Sequence, residues 1–345
     1  MKLTIKEIAE MAGVSITTVS QILNNKGARF SPETRKKVLD IVEKYQYKPD
    51  YFASNLIKRH SKTIGMIVPD VTDFFFSKVI EGVESYLNPL GYMILLCNSK
   101  NSKAREEKYI EELVHRSVDG ILLATPNVLP EGKALDSGFF AKTPIILIDR
   151  GINERKGGRL IVKEYEGAYR AISKLIEYGH QHIGMLKEEE GYYQLIERQT
   201  AYQHALKDHE IPFRKNYLSN GSLSIEGGYQ AAKNLLAGNP ELTAIFCGND
   251  EMAIGCYQAI HEIGKKIPED FSVIGFDGLE ISNYLVPSLT TILQPSFDIG
   301  FYGAKFLVDK IDFPHSRVPN KIFDTEFIIR ESIKPLTAVP KETTI

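Results

Sequence analysis

The sequence has few of the features that mark a secreted, membrane-bound or disulfide-stabilised protein. Its three cysteines, Cys97, Cys247 and Cys256, show no CxxC spacing, and an odd number is a poor basis for a disulfide framework. Apolar runs such as 144–148 are far too short to cross a bilayer. The first ten residues hold two glutamates and lack the long apolar segment of a signal peptide. We therefore expect a cytoplasmic protein without membrane association.

Signatures of enzymes and metal sites are also missing. The chain has no GxGxxG, GxxxxGK[ST], HExxH or GxSxG motif, and its cysteines and histidines lack the spacing of a metal site. We therefore expect no enzyme activity, no cofactor and no metal. Charge of one sign is not in excess either, since 42 basic residues face 44 acidic ones, and this average gives no sign of a nucleic-acid partner.

The balanced charge conceals an asymmetry along the chain. The first 62 residues carry 12 basic and 6 acidic side chains, whereas the remainder carries 30 and 38. A length of 345 residues also exceeds what one ordinary core supports. We therefore predict at least two domains, a small basic module joined to a neutral or acidic body.

The basic segment predicts three short helices. Thr4 and Glu7 form a capping box at the first helix start, Gly13 permits a tight turn, and Ser15 caps the second helix. A Ser-Pro pair at 31–32 opens the third. The first two helices form a helix-turn-helix, with hydroxyls on the second free for phosphates and base edges. An incidental turn in a small helical bundle is the alternative, which the local positive charge disfavours.

Beyond residue 62, short apolar strands alternate with amphipathic helices. The strand candidates are 63–68, 92–97, 120–124, 144–148, 182–186, 243–247 and 272–276. The helix candidates are 77–90, 104–116, 166–178, 226–237 and 250–263. This alternation predicts parallel sheets with helices on both faces, and the number of strands predicts two α/β lobes. Ligands of such folds bind outside the carboxyl ends of the strands.

The run TIKEIAEMAGVSITTVSQILN at 4–24 resembles the DNA-binding head of the LacI/GalR (lactose-repressor) family. The resemblance continues through SPETR at 31–35, DGILL at 119–123, VIGFD at 273–277 and PSLTTI at 287–292, and it covers essentially the whole chain. It implies an all-α helix-turn-helix head and an α/β body. The body's two doubly wound lobes would resemble type I periplasmic sugar-binding proteins.

The resemblance also implies how the chain is divided. The head would span 1–49 and a hinge helix 50–61. The N-terminal lobe would take 62–162 plus 292–322, and the C-terminal lobe 163–291 plus 323–345.

The second helix of the head is expected to enter the major groove. Thr17 and Gln21 can hydrogen-bond base edges there, and Ile16 offers only an apolar contact. The family commonly has arginine where Gln21 stands, which favours an adenine over a guanine at that contact. The resemblance implies phosphate contacts from Ser15, Thr18, Asn24 and Arg29. Leu56 of the hinge helix would wedge into the minor groove; packing on the body is the alternative.

Sugar hydroxyls both donate and accept hydrogen bonds, so a sugar site needs carboxylates, amides and a guanidinium beside an apolar wall. Three polar residues, Asp149, Asn249 and Asp277, follow predicted strands. The resemblance adds Arg198, an aromatic wall of Phe75 and Phe76, and the residues Leu223 and Gln294. The alternatives are a turn role for Asp149, a solvated Arg198 and core phenylalanines. Asp250 is interpreted as a helix N-cap rather than a ligand contact.

One departure from the family pattern concerns the effector site. Lys163 and Glu164 stand where sites of this family often carry Asp or Asn.

These features predict a homodimeric repressor of a carbohydrate-utilisation operon. Its partners would be double-stranded operator DNA and a sugar or sugar phosphate bound between the lobes, which controls DNA binding allosterically. A nucleobase or protein co-regulator in the same architecture is the alternative. A transport receptor for sugars is a further one, which the basic head disfavours.

Overall fold

The computed structural model describes residues 3–24, 27–47, 60–124, 143–148, 159–188 and 193–336. The chain forms two compact units, a small one of residues 1–61 and a large one of residues 62–345. Residues 50–59 of the predicted hinge helix, with Leu56, and the predicted site residue Asp149 lie outside the described residues.

The small unit contains helices α1 (Ile5–Ala12), α2 (Ile16–Leu23) and α3 (Pro32–Lys44). The predicted capping box is present, because the Glu7 N–H donates to the Thr4 hydroxyl and the Thr4 N–H donates to the Glu7 carboxylate. Gly13 ends α1 with φ +69°, a left-handed conformation that glycine adopts without strain. The buried core consists of Ile8, Ala9, Ala12, Val19, Ile22 and Val38.

The first lobe of the large unit is built on a six-stranded sheet with the order β11-β5-β4-β3-β1-β2. Its strands are β1 (Thr63–Val68), β2 (Met93–Asn98), β3 (Gly120–Ala124), β4 (Ile145–Ile148), β5 (Arg159–Val162) and β11 (Lys321–Phe323). The pairs within it are parallel. Its helices are α4 (Phe74–Leu87), α5 (Lys103–His115) and α10 (Ser296–Asp312).

The second lobe has a six-stranded sheet with the order β12-β10-β9-β8-β6-β7. Its strands are β6 (Ile183–Lys187), β7 (Leu218–Asn220), β8 (Ala244–Cys247), β9 (Ser272–Asp277), β10 (Thr290–Leu293) and β12 (Glu326–Ile328). All its pairs are parallel except β10 with β12. The helices are α6 (Glu164–Glu177), α7 (Tyr193–Asp208), α8 (Ile225–Gly238) and α9 (Asp250–Glu262).

The structure corrects several element limits. Helix α4 begins before the predicted residue 77, because the Asp73 carboxylate caps it by accepting a hydrogen bond from the Phe75 N–H at 2.8 Å. The lobe boundaries predicted at 292 and 322 also lie slightly later in the chain. Strand β10 of the second lobe ends at Leu293, and strand β11 of the first lobe ends at Phe323.

Helices α7 and α10 were not predicted from the sequence. The α10 segment contains glycines, which weaken a helix by about 1 kcal/mol each relative to alanine. Gly300 of α10 and Gly82 of α4 permit close packing of the two helices: a side chain at Gly300 would overlap the carbonyl of Val79, and one at Gly82 would overlap that of Phe297.

Candidate functional site

The outer face of α2 in the small unit carries the side chains predicted to read DNA. Ile16 is 46% exposed, Thr17 is also exposed and Gln21 is half-buried. Val19 and Ile22, from the opposite side of the helix, are buried in the small core. The packing therefore leaves the predicted base-reading side chains on the surface.

The predicted phosphate-binding residues lie near both ends of α2. The Ser15 hydroxyl caps the helix by accepting from the Thr18 N–H at 3.1 Å, and it lies 2.9 Å from the Thr18 hydroxyl. At the other end Asn24 donates its side-chain amide to the Ser20 carbonyl at 2.8 Å. Arg29 is exposed, with its guanidinium 5.0 Å from the Phe30 ring centre. These DNA-contact roles stay predictions.

In the large unit, Arg198 on α7 is the centre of a buried polar cluster. Its Nε donates to the Glu164 carboxylate at 2.7 Å, and one terminal nitrogen donates to the Gly248 carbonyl. The other terminal nitrogen is 3.7 Å from Asp277 Oδ1. The guanidinium also lies over the Phe276 ring, 3.6 Å from its centre. Arg198 is 5% exposed, so the alternative of a solvated arginine is wrong.

Asp277 and Gln294 complete this cluster at the carboxyl ends of β9 and β10. The Gln294 side-chain amide donates to Asp277 Oδ1 at 2.7 Å, and both residues are buried. Burial raises the pKa of Asp277, and the nearby Arg198 opposes this rise. Asp277 also has φ +111°, a strained conformation for a residue with a side chain, which is typical of functional sites.

The helix N-cap role that the sequence predicts for Asp250 belongs to Asn249. Asn249 is the N-cap of α9, because its side-chain oxygen accepts from the Met252 N–H at 2.8 Å. Asp250 is not the cap: it is fully buried and accepts from the Leu279 N–H at 2.8 Å and the Ser282 hydroxyl at 2.7 Å. The loops after β9 thus use the Asp250 carboxylate as an internal anchor. A ligand contact from Asn249 stays a prediction, with its oxygen already engaged.

The predicted apolar wall is only partly exposed. Phe75 is buried in the first lobe's hydrophobic cluster, which favours the alternative of a core residue. Phe76 is half-buried and edge-on to Phe75, with ring centres 5.2 Å apart. Leu223 is half-buried beside the hydrophobic cluster that includes α8.

Sequence reasoning missed three acidic residues of this region. Glu164 joins Arg198, and its burial raises its pKa while Arg198 lowers it. Glu251 of the second lobe accepts a hydrogen bond at 3.3 Å from the Phe74 N–H at the start of α4 in the first lobe. Burial raises the pKa of Asp73 to about 6. Burial and the nearby charge of Asp73 raise the pKa of Glu251 to about 7. Only the departure at Glu164 gave any sequence signal.

Comparison with known proteins identifies the family. The family described as periplasmic binding proteins and sugar binding domain of LacI family matches residues 61–326. The family of bacterial regulatory proteins, lacI family, matches residues 4–50. The chain belongs to the LacI family. The predicted family and fold class are therefore confirmed, and the chain is a DNA-binding transcription regulator.

Three similar proteins show how far the similarity extends. The HTH-type transcriptional repressor PurR of Vibrio vulnificus is 34% identical over 341 residues, which cover 96% of this chain and 99% of that protein. The ribose operon repressor of Haemophilus influenzae is 32% identical over 334 residues, with the same coverages of 96% and 99%. A crystal structure of a LacI family transcriptional regulator from Enterococcus faecium with bound ribose is 34% identical, with a TM-score of 0.73. It covers 79% of this chain and 99% of that one.

Two further properties concern the described residues alone. Their helices include none that is long and apolar enough to cross a membrane. The same residues contain no group of three or more histidine, cysteine or acidic side chains that could hold a metal ion.

Proposed function

We propose that this LacI-family protein is a homodimeric repressor of a carbohydrate-utilisation operon, controlled by a small sugar bound at the Arg198 cluster. The observation that carries the proposal is the meeting of Arg198, Asp277 and Gln294 at the carboxyl ends of β9 and β10. Doubly wound folds bind their ligands among polar groups at the carboxyl ends of the strands. The similar protein with bound ribose makes ribose the first sugar to test.

The same site lies where the two lobes meet. Glu251 of the second lobe bonds the start of α4 in the first, and the Asp73 charge contributes to the raised pKa of Asp277. A ligand that bridges the lobes would favour one lobe arrangement over another. By linkage, an effector that changes operator affinity must have its own affinity changed by operator to the same extent.

The first lobe has an apolar edge that supports a dimer. Among the described strands β2 is the end of its sheet, and Met93, Leu95 and Leu96 are 70%, 41% and 44% exposed. Exposed apolar edge strands promote unwanted pairing unless a partner covers them. A second copy of the chain would cover this edge, and two copies would place two heads on a near-palindromic operator.

Operator binding and effector binding can be tested together. The full chain would select its operator from random DNA, and fluorescence anisotropy would measure operator affinity with and without each ligand. Thermal shift would screen ribose, glucose, cellobiose and hypoxanthine, since a ligand at 100 times its Kd adds about 2.7 kcal/mol of stability. We expect one sugar to raise the Tm and to change operator affinity about 5- to 150-fold.

The outcome separates the sugar from its competitor. A nucleobase is the competing effector because its ring N–H groups could also donate to acceptors in the cluster. A Tm rise with hypoxanthine and none with any sugar would replace the sugar by that effector.

The dimer has a separate test. Leu96→Glu should lower the weight-average mass of the full chain in sedimentation equilibrium, because it puts a charge into the β2 edge. Glu269→Gln, a change at an exposed residue, serves as the control. A wild-type protein that sediments as a monomer would refute the proposed dimer.

A further inference from the structure

The two residues that depart from the family pattern have different surroundings. Lys163 lies at the surface, where its Nζ is 2.6 Å from Asp324 Oδ1. Glu164, the first residue of α6, is 3% exposed and bonds Arg198. Only Glu164 therefore belongs to the effector cluster.

One carboxylate oxygen of Glu164 is bonded and the other is not. Oε2 accepts from Arg198 Nε at 2.7 Å, whereas Oε1 is buried without a hydrogen-bond partner among the described residues. Gln294 is in a similar state: its Nε2 donates to Asp277, and its buried Oε1 has no such partner. Buried polar atoms are normally paired, so two unpaired acceptors in one cluster indicate a ligand that supplies donors.

The charges around these acceptors are unbalanced. Arg198 faces two carboxylates, Glu164 and Asp277, and it already donates to Glu164 and to the Gly248 carbonyl. Two more carboxylates, Asp73 and Asp250, are close enough for their charges to affect Asp277, and Arg330 is a further cation that acts on Asp250. An anionic group brought into this cluster would meet an excess of negative charge at low dielectric, where repulsion is strong.

We propose that Glu164 determines which effector binds: its Oε1 accepts a hydrogen bond from a hydroxyl of an uncharged sugar, and its charge excludes sugar phosphates. This inference rests on the proposed function, because it names the effector class for the same site. It narrows the expected sugar or sugar phosphate to the neutral sugar. Arg198 is then an internal counter-ion of the site and not its receptor for phosphate.

The test compares neutral and phosphorylated sugars in pairs. Full-chain wild type, Glu164→Gln and Lys163→Gln would be titrated calorimetrically with ribose and ribose 5-phosphate, and with glucose and glucose 6-phosphate. We expect wild type to bind the neutral member of one pair at least about tenfold more tightly. Glu164→Gln should weaken that neutral sugar about tenfold and bring the two Kd values together. Lys163→Gln should leave both unchanged, because its side chain is outside the cluster.

A second variant separates charge from hydrogen bonding and guards against misfolding. Glu164→Asp keeps the charge on a shorter side chain, so it should lose affinity for the neutral sugar and still reject the phosphorylated one.

Three results would overturn the proposal. A wild-type preference for the phosphorylated sugar would refute the role of Glu164 and leave the sugar effector standing. Equal weakening of both sugars by Glu164→Gln would reduce Glu164 to a support for Arg198. Binding of no sugar at all would remove the proposed effector and this inference with it, while operator binding, measured separately, would stand.

Discussion

The head and the body differ in the exposure and charge of the residues that they offer to their partners. In the head, Ile16 and Thr17 are exposed, and the first 62 residues carry a positive excess. In the body, Arg198, Glu164 and Asp277 are withdrawn from solvent, and acidic residues are in excess. An exposed positive surface suits a long anionic partner, whereas buried donors and acceptors suit a small molecule that the protein encloses. The difference implies that the two binding events respond differently to salt, mutation and pH.

Salt should give the largest difference. If the two heads neutralise about six to ten phosphates, operator affinity falls about 10³- to 10⁵-fold between 50 and 200 mM salt. The affinity for a neutral sugar should change less than about twofold over the same range, since no counterions are released. Anisotropy would measure the first and calorimetry the second. A salt-independent operator affinity would refute the electrostatic account of the head.

The same contrast explains what could be predicted from the sequence. The head was predicted closely because its signals are local: Thr4, Glu7, Gly13 and Ser15 act within a few residues of one another. Most strands of the body were found from their apolar runs. The site contacts of Glu164 and Glu251 could not be found, because each bonds a residue far away in sequence, at Arg198 and Phe74.

Removing Arg198 should give the next largest effect. Arg198→Ala leaves Glu164 and Asp277 buried without their cation, and loss of one partner of a buried pair typically costs about 3–5 kcal/mol. We expect the effector response to disappear in operator-binding assays, while operator affinity without effector stays near that of wild type.

The control for this variant is Arg214→Ala. Arg214 pairs with Glu241 and Tyr217 near the amino ends of β6 and β7. Arg198 lies at the other end of the strands, near their carboxyl ends. The operator affinity of Arg214→Ala should respond to the effector as that of wild type does. Arg198→Lys serves as a second variant in case Arg198→Ala does not fold. Lysine keeps the positive charge but cannot form the several hydrogen bonds that the planar guanidinium makes. A full response from folded Arg198→Ala would show that the cluster is not the effector site.

A smaller effect is expected from the base-reading face of the head. Gln21→Ala should lower specific operator affinity by about 1–3 kcal/mol and relax the preference at one base pair. Arg29→Ala should instead weaken specific and non-specific DNA to a similar extent and reduce the salt dependence. Competition assays with single-base operator variants would measure both. Equal losses on all sequences from Gln21→Ala would make it a phosphate contact.

The smallest effect concerns pH, where the signs in head and body differ. Hydrogen bonds from Thr4 lower the pKa of Glu7, so its contribution to stability is present above the unfolded pKa and is lost as pH falls. Burial, with the Asp73 charge, raises the pKa of Glu251 from 4.5 to about 7, so its contribution is present below about pH 4.5 and is lost as pH rises through 7. Glu251→Gln removes the ionisation and keeps an acceptor for the Phe74 N–H.

Denaturant unfolding at several pH values would measure this effect. At pH 8 we expect Glu251→Gln to be more stable than wild type by about 1–2 kcal/mol, less than the full shift implies because water partly screens the carboxylates. Well below pH 4.5, the pKa of Glu251 in the unfolded state, the two proteins should converge, since Glu251 is then protonated in both states. Glu269→Gln, at an exposed glutamate, should follow wild type throughout. A difference in unfolding free energy between Glu251→Gln and wild type that stays constant from pH 4.5 to 8 would contradict this account. The Glu251–Phe74 bond would then act through its geometry alone, and the negative charge of Glu251 would not oppose the contact between the lobes.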